Sequence, residues 1–441
     1  MFSFSSNLTA KPFGNLAALV LILFVSLLFF GCGGGGGGSI DLRTFSEYEV
    51  LFYDDKLDLL DTEVVSNSID LDAKKSEYGV SEWYLAKSTA PIDGNFTPNG
   101  NTNFYAIPNV VEISNQAELS NIESNRFGNY ILLRDIELKA GEDGFDETYG
   151  WTPLFKDYDN AFGGIFNGNH HTISGLWMDE PSRVGAFGLF AGVVGGTIKN
   201  LGLLIDDDNG GVKGQCYTGG IAGFLTVNSA IINSYSIGSV NGICSVGGIT
   251  GELLEGSKII NSYFMGKISG DGDIGGIAGI LDKYATITNA YSKATIVGDY
   301  ELGGIAGAMA VSTITNSYST GNISGTREIG GIVGYFEGSI LANNAAINQE
   351  INGTDNNVNR IIGVIQNTGH TTISNNFALD TMQITIKDSN GEAGIDGTDE
   401  DFKTQEFYSD TLGWAFDEDD ILSPWKIYEG EGYPFLYWED K

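Results

Sequence analysis

The chain has 441 residues, of which 42% are hydrophobic, 62 are glycine and 8 are proline. It carries 57 acidic residues against 23 basic ones, a net charge of −34. This balance makes nucleic acid and anionic membrane surfaces poor partners, and the periodic apolar content excludes a disordered chain.

At the N-terminus, Lys11 precedes an uninterrupted run of apolar or small residues from Leu16 to Phe30. The run is short for a membrane-spanning helix and suited to a signal-peptide core. It ends in Leu28-Phe29-Phe30-Gly31-Cys32 and passes into Gly33 to Gly38, which resembles a bacterial lipobox. Phe29 and Phe30 depart from that pattern, since smaller residues are usual there. The resemblance implies a signal peptide over 1–31, lipidation of Cys32 and a flexible glycine-rich tether over 32–42. An ordinary signal peptide cut elsewhere, or an uncleaved anchor, is the other reading. The lipobox reading implies an outer-membrane lipoprotein whose anchor makes the membrane its partner. Surface exposure is the expectation, with a periplasm-facing position as the alternative.

Residues 43–108 predict a small β module, with alternation in Tyr48 to Asp55, then Trp83-Tyr84 and Phe104-Tyr105-Ala106. These patches resemble a Listeria–Bacteroides repeat, which implies a β-grasp-like fold used for spacing and capping. The alternative is a β cap of the domain that follows. Pro108 marks the boundary, and Asn115 to Ile122 predicts a short helix before the first coil. Residues 109–210 are expected to form an N-terminal cap and the first, variant coils.

Over 211–378 two phrases repeat together. One is Gly219-Gly220-Ile221-Ala222-Gly223, returning at Gly247, Gly275, Gly303 and Gly330 with steps of 28, 28, 28 and 27 residues. The other is Asn233-Ser234-Tyr235, returning at Asn261, Asn289 and Asn316 and in decayed form at Asn343. Two phrases locked to one period identify a repeat architecture. Each unit holds short Ile, Val, Thr and Tyr runs between Gly, Asn, Ser and Asp, which predicts strands and turns. No run has helical periodicity, and the period is too short for a propeller blade. The expected fold is all-β: a parallel β-helix-like solenoid in which identical residues stack about 4.8 Å apart.

The phrases resemble the GLUG motif of bacterial surface proteins, a motif also found beside the catalytic domain of IgA-specific metallopeptidases. The lead-in adds to the likeness through Asn129 to Ile136, Trp151 to Leu154 and Phe166 to Leu176. Val184 to Gly188 and Ile198 to Gly202 resemble a first variant repeat. The resemblance implies the architecture and a surface or adhesin-like role.

Cys216 and Cys244 lie one repeat apart, each three residues before its glycine pair. Stacked positions fall within disulfide range, and an exported chain meets oxidising conditions, so a bridge between adjacent coils is expected. Two free thiols in the core are the alternative. The asparagine ladder reads as structural. Isoleucine two residues before each asparagine and tyrosine two after it share strand parity, so all face one way unless the chain bends at the asparagine. Without a bend, Tyr235, Tyr263, Tyr291 and Tyr318 are interior packing, the favoured reading. With one they become an outward stripe able to stack on sugars or peptide.

Beyond the repeats, 379–441 is expected to form an acidic loop and a C-terminal cap dense in aromatics from Trp414 to Trp438. An aromatic sugar-binding platform is the alternative.

Catalytic chemistry is sparse. There are three histidines, His170, His171 and His370, and no His-Glu-x-x-His zinc motif. There is no Gly-x-Ser-x-Gly elbow or phosphate loop. Parallel β-helices host polysaccharide lyases and hydrolases built on clustered carboxylates, for which Asp206, Asp207 and Asp208, or Asp271 and Asp273 with Lys267, are the candidates. Calcium at Asp206–Asp208 or Asp388-Ser389-Asn390 lacks the ligand spacing of an EF-hand loop. The expectation is therefore no catalytic site, no cofactor and no metal. The chain would be a surface-displayed β-helix for adhesion or binding of host protein, cell or glycan. The alternatives are a structural envelope component or a polysaccharide-cleaving β-helix.

Overall fold

The computed structural model describes residues 47–156, 158–366, 370–385, 390–416 and 424–440. The predicted signal peptide, Cys32, the tether, and Asp388 and Ser389 lie outside the described residues. A parallel β-solenoid fills most of the chain.

One coil shows the plan. Its strands are Cys216–Gly219, Ala222–Thr226, Ala230–Ile232 and Tyr235–Asn241. We call the sheets they belong to the first, second, third and tyrosine flanks. Each strand pairs in parallel with its copy in the next coil: Cys216 with Cys244, Ala222 with Thr250, Ala230 with Lys258 and Tyr235 with Tyr263. The third flank is the longest open sheet, ten strands from Val110–Ile113 to Thr372–Ser374.

Every flank sends an apolar ladder inward. Val246, Ile274, Leu302 and Ile329 come from the first, and Leu225, Leu253, Leu281, Met309 and Phe336 from the second. Ile231, Ile259, Ile287 and Ile314 come from the third, and Val240, Ile268, Ile296 and Ile323 from the tyrosine flank. The repeated Ile221, Ile249, Ile277, Ile305 and Ile332 fill the corner between the first two flanks and are fully buried. Each such side chain contributes about 1.5–3 kcal/mol.

The glycine pair before that isoleucine is set by space. A Cβ on Gly247 would overlap the Thr250 carbonyl oxygen, and one on Gly276 would overlap that of Gly304. Only glycine lets the first two flanks meet in so tight a corner.

The Asn-Ser-Tyr phrase makes the other corner. Asn233, Asn261, Asn289 and Asn316 hold φ of 48°, 50°, 54° and 52°, the left-handed conformation that asparagine tolerates better than other side chains. Their amides form a chain along the stack: Asn261 donates to Asn233 at 3.1 Å, Asn289 to Asn261 at 3.1 Å and Asn316 to Asn289 at 3.3 Å. The serine turns inward, where Ser262 Oγ accepts from the Ser234 amide and Ser317 Oγ from the Ala290 amide, both at 3.2 Å. The tyrosine then faces out. In the strand it opens, Ser236, Gly238 and Val240 point inward, and Tyr235, Ile237, Ser239 and Asn241 alternate with them. The shared parity of Ile, Asn and Tyr therefore breaks at the left-handed turn: the expected position inside the coil is corrected, while the expected packing role stands, since Tyr263, Tyr291 and Tyr318 are buried.

Cys216 and Cys244 form a disulfide across neighbouring coils, with Cα atoms 4.6 Å apart. Ahead of the solenoid, strands Tyr48–Tyr53 and Leu59–Val65 pair antiparallel, a helix follows over Leu71–Tyr78, and Thr102–Tyr105 returns parallel to the first strand. This is a β-grasp arrangement, with Val50, Phe52, Leu71, Trp83 and Phe104 as its core. It packs on the first coils through Tyr53, Leu57, Tyr105, Val110 and Ile131. Lys199, nearly buried, bonds Asp58 of this module at 2.6 Å.

At the other end, Ile395–Gly397 pairs on Phe377–Leu379 beyond the last coil, with Phe402, Tyr408 and Leu412 buried behind it. The chain then runs back along the tyrosine flank, so its aromatics cover a side of the solenoid as well as its end.

Asn289 tests the corner. Asn289→Ala loses two ladder bonds and strains the left-handed turn, whereas Asn289→Gly loses the bonds alone. Urea unfolding should show the alanine variant less stable than the glycine variant by about 1 kcal/mol; equal stability would remove the turn as the constraint.

Candidate functional site

The four tyrosines form a column of parallel rings on the outside of the solenoid. Centroids of Tyr235 and Tyr263 are 5.0 Å apart at 3°, Tyr263 and Tyr291 4.7 Å at 7°, and Tyr291 and Tyr318 5.0 Å at 9°. Residues 424–440, which we call the strap, bury most of this column. Trp425 lies against Tyr318 and Tyr291, with centroids 5.9 and 6.4 Å away. Trp438 lies against Tyr263 and Tyr235, at 5.6 and 6.0 Å. Trp414, just ahead of the strap, stacks on Trp425 at 4.6 Å. Polar contacts set the register: Trp438 Nε1 donates to the Asn261 carbonyl at 3.1 Å, Tyr291 to Glu439 at 2.8 Å and Tyr318 to the Pro434 carbonyl at 2.6 Å. Burial, with Glu439 nearby, raises the Tyr263 and Tyr291 hydroxyls far above the ordinary phenol value.

The column ends at Tyr235, whose neighbour in register on the preceding coil is Gly202. With no side chain there, the Tyr235 ring leans over the glycine, where a Cβ would collide with it. A pocket of about 160 Å³ opens at this point. Tyr235, Tyr263 and Trp438 supply its aromatic wall, Asn200, Asn233 and His170 line another side, and Glu439 closes it. The two asparagines belong to the amide ladder, Asn233 donating to Asn200 at 3.2 Å, so their orientation is held from both sides. Aromatic faces, oriented amides and a carboxylate in one concavity are chemically suited to the face and hydroxyls of a small ring.

Of the expected site residues, Tyr235 and Tyr263 reach this pocket, while Tyr291 and Tyr318 lie under the strap. Trp438 comes from the aromatic tail for which a sugar-binding platform was the alternative reading, whereas Glu439, Asn200, Asn233 and His170 were not anticipated as lining residues. His170 holds a left-handed turn, φ 63°, and His171 faces Asp135 at 3.4 Å. His370 is exposed.

The acidic candidates divide. Asp206 accepts from the Asp208 and Asn209 amides at 3.0 and 3.3 Å, and Asp207 accepts from the Ser239 amide at 2.6 Å, so these acids fasten a turn. Asp271 is exposed in a turn, and Lys267 is exposed on the tyrosine flank. Among the described residues no group of three or more His, Cys, Asp or Glu is placed to hold a metal ion. Asp273 stands in a different setting. It occupies a left-handed position on the first flank, φ 53°, and the same position one coil on is Glu301, φ 55°, then Glu328, φ 58°. The shared 28- and 27-residue spacing is the signal that would have found the two glutamates. Burial, then a hydrogen bond with Asp273 and its charge, pushes Glu301 up to about 9. Burial, then the charges of Asp273 and Asp282, pushes Glu252 on the adjoining flank up to about 7.

No protein-family model and no curated protein matches the chain. Solved structures similar to it include the following two. One is the crystal structure of a provisionally assigned immunoglobulin A1 protease from Bacteroides ovatus, at 21% identity and a TM-score of 0.49, covering 75% of this chain and 93% of that one. The other is an IgA1 protease, at 18% identity and a TM-score of 0.46, covering 67% of this chain and 23% of that one.

The raised acids give stability a pH dependence of definite sign. Glu301 and Glu252 hold protons in the folded chain above the ordinary carboxylate value of 4.5. Their contribution is complete below that value and is lost as pH rises through about 7 and then about 9. The thermal midpoint should fall across this window, and Glu301→Gln should flatten the fall. An unchanged slope in the variant would show that the row does not carry it.

Proposed function

We propose that the chain is a lipid-anchored β-helix displayed on the bacterial surface, where it binds glycan. The observation supporting this is the pocket at the open end of the tyrosine column. A pyranose ring presents a C–H face suited to Tyr235 and Trp438, and hydroxyls suited to the Asn200 and Asn233 amides and the Glu439 carboxylate. A pocket near 160 Å³ suits one ring of a chain, not a long segment. The carboxylate and the net charge of −34 favour neutral sugars over acidic ones. Surface display rests on the lipobox-like Gly31-Cys32 and the glycine tether after it.

Cells carrying the chain should bind neutral glycans on an array, and protease shaving of intact cells should remove both the repeat region and the binding. Trp438→Ala should weaken binding about tenfold to a hundredfold, the range for losing one stacking face, and Trp438→Phe should restore part of it. Binding that survives both shaving and Trp438→Ala would sink the proposal.

A second reading, cleavage of polysaccharide, is favoured by the Asp273–Glu301 pair, where burial, then a hydrogen bond with Asp273, leaves Glu301 protonated at neutral pH. Glycoside hydrolysis uses a pair of carboxyls, one of which acts as a general acid and must hold its proton. Incubation with plant and bacterial polysaccharides should then yield new chain ends that Glu301→Gln abolishes; intact polymers throughout would leave binding alone.

A further inference from the structure

The strap is joined to the coils differently from the way the coils are joined to one another. Its own strands, Trp425–Lys426 and Phe435–Leu436, pair antiparallel with each other. The Tyr437 amide donates to the Pro424 carbonyl at 2.8 Å, and the Gly430 amide to the Lys403 carbonyl at 2.9 Å, which keeps both bonds within the tail. Among the described residues no strap strand pairs with a strand of the solenoid. The docking contacts are ring faces and side-chain hydrogen bonds from Trp438, Tyr291 and Tyr318. Lifting the strap would therefore cut none of the parallel ladders, though it would expose Trp425, Leu436 and Trp438, which are buried in the docked form.

The pocket lies where the strap ends. Its lining comes from both the coils, through Tyr235, Asn200 and Asn233, and the strap, through Trp438 and Glu439. A molecule touching both binds the docked form more tightly than the lifted form, and by linkage it must hold the strap down.

We propose that the strap is a latch coupled to this pocket: occupancy closes it, and its release both opens the pocket and bares the tyrosine column. The proposal rests on the sugar-binding reading of the pocket and adds a regulation to it. Sugar affinity is then set partly by residues that never touch sugar. Trp425 is one of these, since it packs on Tyr291 and Tyr318 and does not line the pocket.

Hydrogen exchange on the full chain tests this, using the methyl pyranosides of glucose, galactose, mannose and N-acetylglucosamine as probes. In the free protein the strap amides should exchange faster than those of Tyr263–Ser269 and Tyr291–Val297. At a concentration ten times its dissociation constant, a bound probe should slow strap exchange about tenfold. Trp425→Ala should raise the dissociation constant of that probe, because only the latched fraction binds, and Trp425→Phe should recover most of the loss. Strap exchange only through global unfolding, or exchange unchanged by a bound probe, would overturn the latch and leave the pocket standing. If none of the four pyranosides binds, the pocket reading falls and the latch falls with it.

Discussion

One left-handed asparagine per coil bends the chain between two flanks, and the surface features of the solenoid depend on that bend. A straight strand would send Ile231, Asn233 and Tyr235 to the same side, into the coil. The bend costs conformational energy at each coil. The amide chain from Asn200 through Asn316 offsets it by satisfying side-chain donors and acceptors against their copies. The next residue caps the interior with a hydroxyl, and the one after that is free to point outward. Three residues thus solve backbone strain, buried polarity and surface display in sequence, and the repeat copies the solution.

An outward column of stacked phenol rings is an exposed apolar stripe, which invites association with whatever is near. The strap covers it with indole rings, and the covered rings become a second, smaller core outside the solenoid. The opposite corner holds the other unusual chemistry. There the glycine corner presses the first two flanks together, and the left-handed positions on the first flank present Asp273, Glu301 and Glu328 as a row. Their proximity is imposed by the stacking distance, since any acid repeated at one period must face its own copy. Protonation relieves what spacing cannot.

The period, the strand content, the interior isoleucines and the Cys216–Cys244 pairing were legible because each depends only on positions one repeat apart. A small β module at the N-terminus was legible from its apolar patches, and its β-grasp plan was expected only through the family resemblance those patches carry. Tyrosine orientation was not, because alternation is a rule for extended backbone and gives no sign that Asn233 leaves that region. The pocket was less legible still. Trp438 and Glu439 are about two hundred residues from Asn233 along the chain, and no local pattern says which coils a returning tail will meet. Asp273 drew attention together with Asp271, as acids near Lys267. Its real neighbours were its period partners, and Lys267 proved to lie on another flank.

The strap has a fixed length while the solenoid is built by counting. Trp414, Trp425 and Trp438 lie against rungs set by successive coils, from Tyr318 down to Tyr235. Repeat genes gain and lose whole units easily, and a solenoid by itself tolerates that. Here an added or deleted coil between Tyr235 and Tyr318 would change the height of the column against an unaltered tail, leaving an uncovered ring or a surplus indole. The tail is therefore matched to one height of the column, and a chain with a coil more or fewer would need a tail of another length to cover it.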